Sequence, residues 1–213
     1  GTLARGLAAR GCMVIGIDPS PDMLIQAKAL ADADGVQVTW KEARAEATGL
    51  EASSADVVAA GQCWHWFDGP KAIRETKRIL RRGGRLVIAH FDWLPVSGNV
   101  VDRTEALIRK ANPEWAMGGG TGIHPRWFRH LSEGGFRQIE SLSYDEDVLY
   151  SHEGWRGRIR ASAGIGGSLS PDKVAAFDRR HGEVLTREFP DQPLVIPHRV
   201  FIVHGHYAGE TDD

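Results

Sequence analysis

The sequence predicts an α/β fold on a mostly parallel sheet, and three observations carry that prediction. Strand-like and helix-like patterns alternate through the first hundred residues at the spacing of βαβ units. The runs Met13–Ile17 and Leu86–Ala89 are continuously apolar, as strands covered on both faces are. Between them lie helix punctuation marks, Ser20-Pro21-Asp22 at a start and Gly83-Gly84 at a stop.

The elements follow in order. Leu3 and Leu7, with Ala4 and Ala8 beside them, form one face of a short helix that Gly11 breaks. Met13–Ile17 is a strand ending at Asp18. Ser20 caps the next helix, which carries Leu24, Ala27 and Leu30 to about Ala33. Val36–Trp40 alternates as a second strand, and Asp56–Ala60 is a third. Asp68-Gly69-Pro70 starts a helix with Ile73, Thr76, Ile79 and Leu80 on its inner face. Arg81 and Arg82 suit its C-terminus, and Gly83-Gly84 ends it. Arg85–Phe91 is a fourth strand. Beyond it the pattern predicts helices over Val100–Lys110, Pro125–Leu131, Ser151–Ala163 and Ser170 to about Phe189, with strands Phe136–Tyr144 and Val200–Tyr207.

The 213 residues suit one domain with a helical insertion. With 42% hydrophobic and 25% charged residues, a packed core is expected rather than disorder. A net charge of -2 excludes a broadly basic nucleic-acid binder. No apolar run reaches the ~18 residues of a membrane span. Two cysteines, Cys12 and Cys63, make neither a disulfide framework nor a zinc site, and no signal peptide is visible, so a reducing cytoplasm is the natural setting.

Ligands of open α/β sheets bind beyond the C-terminal ends of the strands. Three such ends carry distinctive residues. Asp18 can accept from a ribose diol, or it can simply cap the Ser20 helix. Ala43-Arg44-Ala45-Glu46 follows the second strand. Gln62-Cys63-Trp64-His65-Trp66-Phe67 follows the third, and a core burying that run would have to find partners for Gln62 and His65.

The order Gly-Thr helix, Asp-Pro-Ser-Pro-Asp-Met, Ala-Glu, Asp-Val-Val, His-Trp-Phe and Arg-Ile-Leu-Arg-Arg-Gly-Gly-Arg-Leu resembles the class I S-adenosylmethionine-dependent methyltransferases, in their small-molecule, trans-aconitate methyltransferase-like group. The resemblance covers residues 1 to about 92 and implies a Rossmann-like sheet with an antiparallel final strand. It further implies a cofactor-binding half over 1–92. The rest of the domain, 93–213, would hold a helical lid and the closing strands. Gly1 looks like the last glycine of the family's glycine-rich loop. Asp18 matches the ribose-binding acid, with Pro19 and Met23 toward adenine. Ala45 and Glu46 match the segment beside adenine, and Gln62 the position near the methionine moiety. Arg44 stands where relatives often carry Asp, and Arg offers no acceptor. The family's first strand is missing from this sequence, and it is expected between Met13–Ile17 and Asp56–Ala60.

The implied reaction is an in-line attack on a sulfonium methyl group of S-adenosyl-L-methionine by a small-molecule acceptor. A base is required only if the nucleophile must lose a proton. His65 is the candidate, and it can equally orient substrate or pack on cofactor. Trp64 and Trp66 would line the acceptor site, together with Tyr150, Trp155 and Arg158 of the insertion. Arg158 beside Trp155 would clamp a carboxylate, although a solvated basic face is the commoner fate of such arginines. His204 and His206 alternate on one strand without a third ligand, so no metal site is expected. The competing functions are an NAD(P)-dependent oxidoreductase, because an acid after the second family strand also suits that ribose, and a non-catalytic binding domain derived from a methyltransferase.

Overall fold

In the computed structural model, which describes residues 1–209, the predicted alternation is present from α1 (Thr2–Ala8) and β1 (Ile15–Asp18) onward. There follow α2 (Pro21–Ala33), β2 (Thr39–Glu42), β3 (Ala55–Gly61), a 3-10 turn at Trp64–Trp66, α3 (Gly69–Ile79) and β4 (Leu80–Trp93). The remainder is α4 (Val100–Ala111), α5 (Pro125–Glu133), β5 (Phe136–Tyr150), α6 (His152–Arg160), α7 (Pro171–Glu188) and β6 (Leu194–Tyr207). Residues 210–213, the end of the expected second half, lie outside the described residues.

The sheet is mixed and mostly parallel. β1 pairs with β2 in parallel, and the other four strands are ordered β3-β4-β6-β5, with β3 and β4 parallel. β1 and β3 belong to separate sheets. Ile15 on β1 and Val57 on β3 are 49% and 54% exposed, so both strands leave apolar side chains uncovered.

The chain divides into two compact units, and the long strands β4, β5 and β6 each pass from one to the other. The first unit contains Gly1–Ala89, Pro125–Ser141 and the chain from Ile202 on. The second contains His90–His124 and Leu142–Phe201. The chain therefore crosses between units several times.

In the first unit, local chemistry sets the elements that hold the strand ends. The Ser20 hydroxyl accepts from the Met23 N–H at 3.4 Å, and Pro21 occupies the first turn of α2. Asp68 caps α3 by accepting from the Lys71 N–H at 3.2 Å. Gly16 has no room for a side chain, since a Cβ there would lie 2.2 Å from the Trp40 ring. That contact fixes β1 on β2 in the register Gly16↔Trp40. Leu80, Leu86, Ile88, Leu131 and Phe136 are buried here.

Several boundaries differ from the sequence pattern: β1 starts at Ile15 and β2 is shifted to Thr39–Glu42, and three further differences have identifiable reasons. Gly83-Gly84 does not stop α3. Leu80 is already extended and pairs with Ala55, the next paired position is Val57↔Arg85, and the glycines shape the irregularity between them. Gly83 turns there at φ +81. β5 and β6 are longer than predicted because the charged run Asp145–Asp147 and Pro197 mask strand character. β5 is an outer strand, where charge is tolerated and discourages further pairing.

The second unit is built on α4, α6 and α7, which pack on one another. Its core contains Val101, Ile108, Trp155, Ile159, Val184, Leu185 and Ile196. Asn99 caps α4 by accepting from the Asp102 N–H at 2.8 Å.

Candidate active site

The first unit brings the ends of β1 and β3 into electrostatic contact. Asp18 is half-buried, and its Oδ1 accepts from the Ser20 N–H at 2.9 Å. The capping role is thus real, and it occupies one carboxylate oxygen. Burial and the charge of Asp18 together push the Cys63 thiol up to about 11, so Asp18 lies near the turn that follows β3. A thiol held protonated in this way is a poor nucleophile. Pro19 and Met23 are exposed beside Asp18, and Met23 is 54% exposed.

The turn itself opens with an unusual backbone. Gln62 sits at φ +62, in the left-handed region that non-glycine residues seldom enter, while its N–H donates to the Ala89 carbonyl at 3.0 Å. Such strain persists only where surrounding structure imposes it, and it concentrates at binding sites. Gly61, just before it, has Leu3 of α1 against it, and a Cβ would lie 2.9 Å from Leu3 Cδ2. Gly1, at the N-terminus of that helix, is equally hemmed in by Ala27 and Trp40.

The four aromatic residues of the turn divide. Trp64 is 2% exposed, and its Nε1–H donates to His130 Nδ1 at 3.0 Å. Phe67 lies edge-on to it at 5.6 Å. Trp64 therefore anchors the turn to α5 and offers no face to an acceptor. Burial and the charge of Arg126 keep the His130 pKa below its usual value, consistent with a neutral ring accepting that bond. His65 and Trp66 are exposed, with ring centroids 4.6 Å apart. Of the four rings, these two are the ones open to solvent.

Glu46 has been drawn to another task. Its Oε1 accepts from the Asp68 N–H at 2.9 Å, and its Oε2 lies 3.5 Å from Arg44. Burial raises its pKa, but the Asp68 and Glu46 N–H groups and Arg44 outweigh burial and hold it below the usual value. Its carboxylate thus tethers the segment after β2 to the start of α3, and Ala45 is half-buried within that segment. A shallow, solvent-open depression of about 410 Å³ lies elsewhere in this unit, lined by Thr2, Arg5, Gly6, Ala9, Asp34 and Val36. It includes none of the strand-end residues.

In the second unit the arginines of α6 separate by role. Arg156 and Arg160 both pair with Asp178 of α7, at 3.0 and 2.8 Å, and are structural. Arg158 instead lies over the Trp93 ring at 5.1 Å and forms no ion pair among the described residues. Trp155 is fully buried, edge-on to Trp93 at 5.5 Å and to Tyr150 at 5.4 Å, and donates to Thr104 Oγ1 at 3.1 Å. It is a core residue behind the Arg158–Trp93 pair rather than a ligand contact. Replacing such a side chain with Ala costs about 3–5 kcal/mol. Tyr150 is half-buried beside it.

Among the described residues, His204 and His206 belong to no group of three candidate ligands. His204 lies 4.0 Å from Glu140, and His206 contacts Arg85 at 2.6 Å. A different group, unmarked in the sequence pattern, gathers His90, Asp92 and His124 in the second unit. The alternation His90-Phe91-Asp92 on a strand was the available signal, but the third member is 32 residues further on.

Comparison with known proteins adds the following. Residues 1–88 match the model of a methyltransferase domain. An uncharacterized methyltransferase of Mycobacterium tuberculosis is 34% identical over 115 residues, covering 51% of this chain and 46% of the relative. The malonyl-[acyl-carrier protein] O-methyltransferase of Brevibacillus brevis is 27% identical over 170 residues, covering 77% of this chain and 59% of the relative. The chain thus spans about half the length of the first of these curated relatives. A solved structure from Anaeromyxobacter dehalogenans, provisionally named a type II methyltransferase, superposes with a TM-score of 0.61 at 20% identity. The match covers 97% of this chain and 88% of that one.

Proposed function

We propose that this chain, whose residues 1–88 match a methyltransferase domain, is a class I methyltransferase that transfers a methyl group from S-adenosyl-L-methionine to a small organic acid. The observation that carries the reading is the strained Gln62–Cys63 turn at the end of β3, with the Asp18 carboxylate at the end of β1 close enough to act on Cys63.

The donor set in the first unit fits this cofactor. With one oxygen of Asp18 held by Ser20, the other remains to accept from a ribose hydroxyl. Met23 and Pro19 give the exposed apolar surface an adenine ring needs. Gly1 and Gly61 let α1 pack closely against α2, β2 and the end of β3, which sets the position of the strand ends. Ala45, with Glu46 holding its segment in place, would flank adenine, and Gln62 would face the methionine portion. The bound cofactor supplies an electrophilic methyl group whose sulfonium charge is lost on transfer.

This chain's own residues then have to align the acceptor and keep water out. An acceptor carboxyl has a pKa near 4, so it is ionised at neutral pH and needs no base. His65 on this reading orients the acceptor, its ring braced on Trp66. Within the second unit taken by itself, Arg158, carried on Trp93 without a carboxylate partner among the described residues, is a cation suited to an anionic oxygen pair. Tyr150 and Trp155 support it from behind. The Brevibacillus relative is a malonyl-[acyl-carrier protein] O-methyltransferase, which supports an oxygen acceptor on an acyl compound.

Calorimetry tests the cofactor. S-adenosylhomocysteine is expected to bind and NAD not to bind. Binding of NAD alone would turn the reading to hydride transfer, and binding of neither would turn it to a non-catalytic domain.

A further inference from the structure

The second unit gathers two imidazoles and a carboxylate around one point. His90 and Asp92 stand two residues apart on β4 and so share a face of the strand. Phe91, between them, turns the other way and stacks on His198 at 4.5 Å. His90 Nδ1 lies 2.8 Å from Asp92 Oδ1, and His124 Nε2 lies 2.8 Å from Asp92 Oδ2. One ligand atom from each residue falls within 4.8 Å of the others.

The third member is held by more than its contact with Asp92. Arg199 donates to the Thr121 carbonyl at 3.0 Å and forms two bonds with Asp145, at 2.7 and 2.9 Å. Its stem also lies against Gly122, where a Cβ would come within 2.7 Å and where φ is +72. The segment leading to His124 is therefore pinned on β6 and β5. The His124 ring also packs 5.7 Å from Phe201 and 4.7 Å from the His90 ring.

We propose that His90, Asp92 and His124 form a binding site for a divalent transition-metal ion, of the two-histidine, one-carboxylate kind. The donor set is borderline in hardness, which selects zinc, iron(II) or cobalt(II) over calcium and magnesium. Metal–ligand bonds of about 2.0–2.2 Å put neighbouring donors roughly 3 Å apart, close to the spacing already present for the two imidazole–carboxylate pairs. The His90 side chain is buried, while those of Asp92 and His124 are 27% and 26% exposed. That leaves an entry path for the ion and an open coordination side for an oxygen ligand. The site uses none of the residues that the methyl-transfer reading invokes, and all three of its members lie in the second unit.

The test is calorimetric titration of chelator-treated protein with Zn2+ alone, beside the variants Asp92→Asn, His124→Gln and His204→Gln. We expect one ion per chain, with affinity reduced at least about 30-fold in the first two variants and unchanged in the third. Equal affinity in all four proteins, or no binding by the unaltered protein, would overturn the proposal. Circular dichroism of the metal-free variants checks their fold. Should either variant fail to fold, Co2+ added to the unaltered protein still decides the matter. Paramagnetic shifts confined to two imidazoles support the site, and shifts spread over surface histidines refute it.

Discussion

The buried His181 makes the pH dependence of stability calculable. Thr104 Oγ1 donates its one proton to the Val100 carbonyl at 2.7 Å and accepts from Trp155 Nε1–H at 3.1 Å. His181 Nε2, 3.1 Å from the same oxygen, must then be a donor. That leaves His181 Nδ1 as a buried lone pair with no hydrogen-bond partner in the structure. Protonating it would place a charge and an unpaired N–H in the core of the second unit. Burial accordingly lowers the pKa to about 4; Asp178 opposes the shift, while Arg156, Arg160 and His152 add to it. In the unfolded chain the ring titrates near 6.5. Because the folded pKa is the depressed one, the unfolded state takes up the proton first. The stabilisation is complete above about pH 6.5, falls as pH drops, and levels off below about 4. The loss amounts to roughly 2 kcal/mol by pH 5 and about 3 kcal/mol in all. His181→Leu removes this titration and leaves Thr104 bonded to Val100 and Trp155. Urea denaturation of both proteins at pH 7.5 and pH 5 isolates the effect, since every other titrating group is shared. The variant should gain about 2 kcal/mol relative to the original protein between those pH values. A difference that stays constant with pH would refute the assignment of His181 as a buried neutral ring.

Three further outcomes are expected. Asp18→Ala should weaken S-adenosylhomocysteine binding by on the order of 1–3 kcal/mol, the cost of charge-assisted bonds, and an unchanged dissociation constant would remove Asp18 from the site. Arg158→Met should reduce turnover of carboxylic acids at least about 10-fold more than turnover of their neutral amides, the worth of a charge-assisted pair; equal losses in steady-state assays would assign Arg158 to the fold alone. Val57→Lys, placing a charge at a half-exposed position on the outer strand β3, should slow aggregation measured by light scattering, and an unchanged rate would mean that this edge is not where the chains associate.

Much of the fold was legible because its signals are local. The Ser20-Pro21 start of α2, the Asp68 cap of α3 and the apolar runs of β1 and β4 each depend on neighbours within a few residues. The same holds for the position of Asp18 at a strand end, which follows from an apolar run and the helix cap after it. Where local signals conflicted, the longer-range term prevailed. Gly83-Gly84 reads as a helix stop, yet pairing of Leu80 with Ala55 ends the helix earlier. Asp145–Asp147 and Pro197 read as strand breakers, yet both lie within long strands.

The candidate site divides along the same line. The sequence pattern was enough to mark the turn after β3, but Trp64 and Trp66 look alike in it. Trp64 became an anchor because His130, 66 residues away, presents an acceptor nitrogen to its indole. Arg156, Arg158 and Arg160 are likewise equivalent in sequence, and the placement of Asp178 on α7 leaves only Arg158 without a carboxylate partner among the described residues. His124 joins His90 and Asp92 because Arg199, on a distant strand, holds the segment before it. A side chain's role is set by which partner reaches it and how much water remains around it. Periodicity and capping carry information over one or two turns of chain, whereas those partners arrive from 20 to 80 residues away and meet only when the sheet and helices have packed.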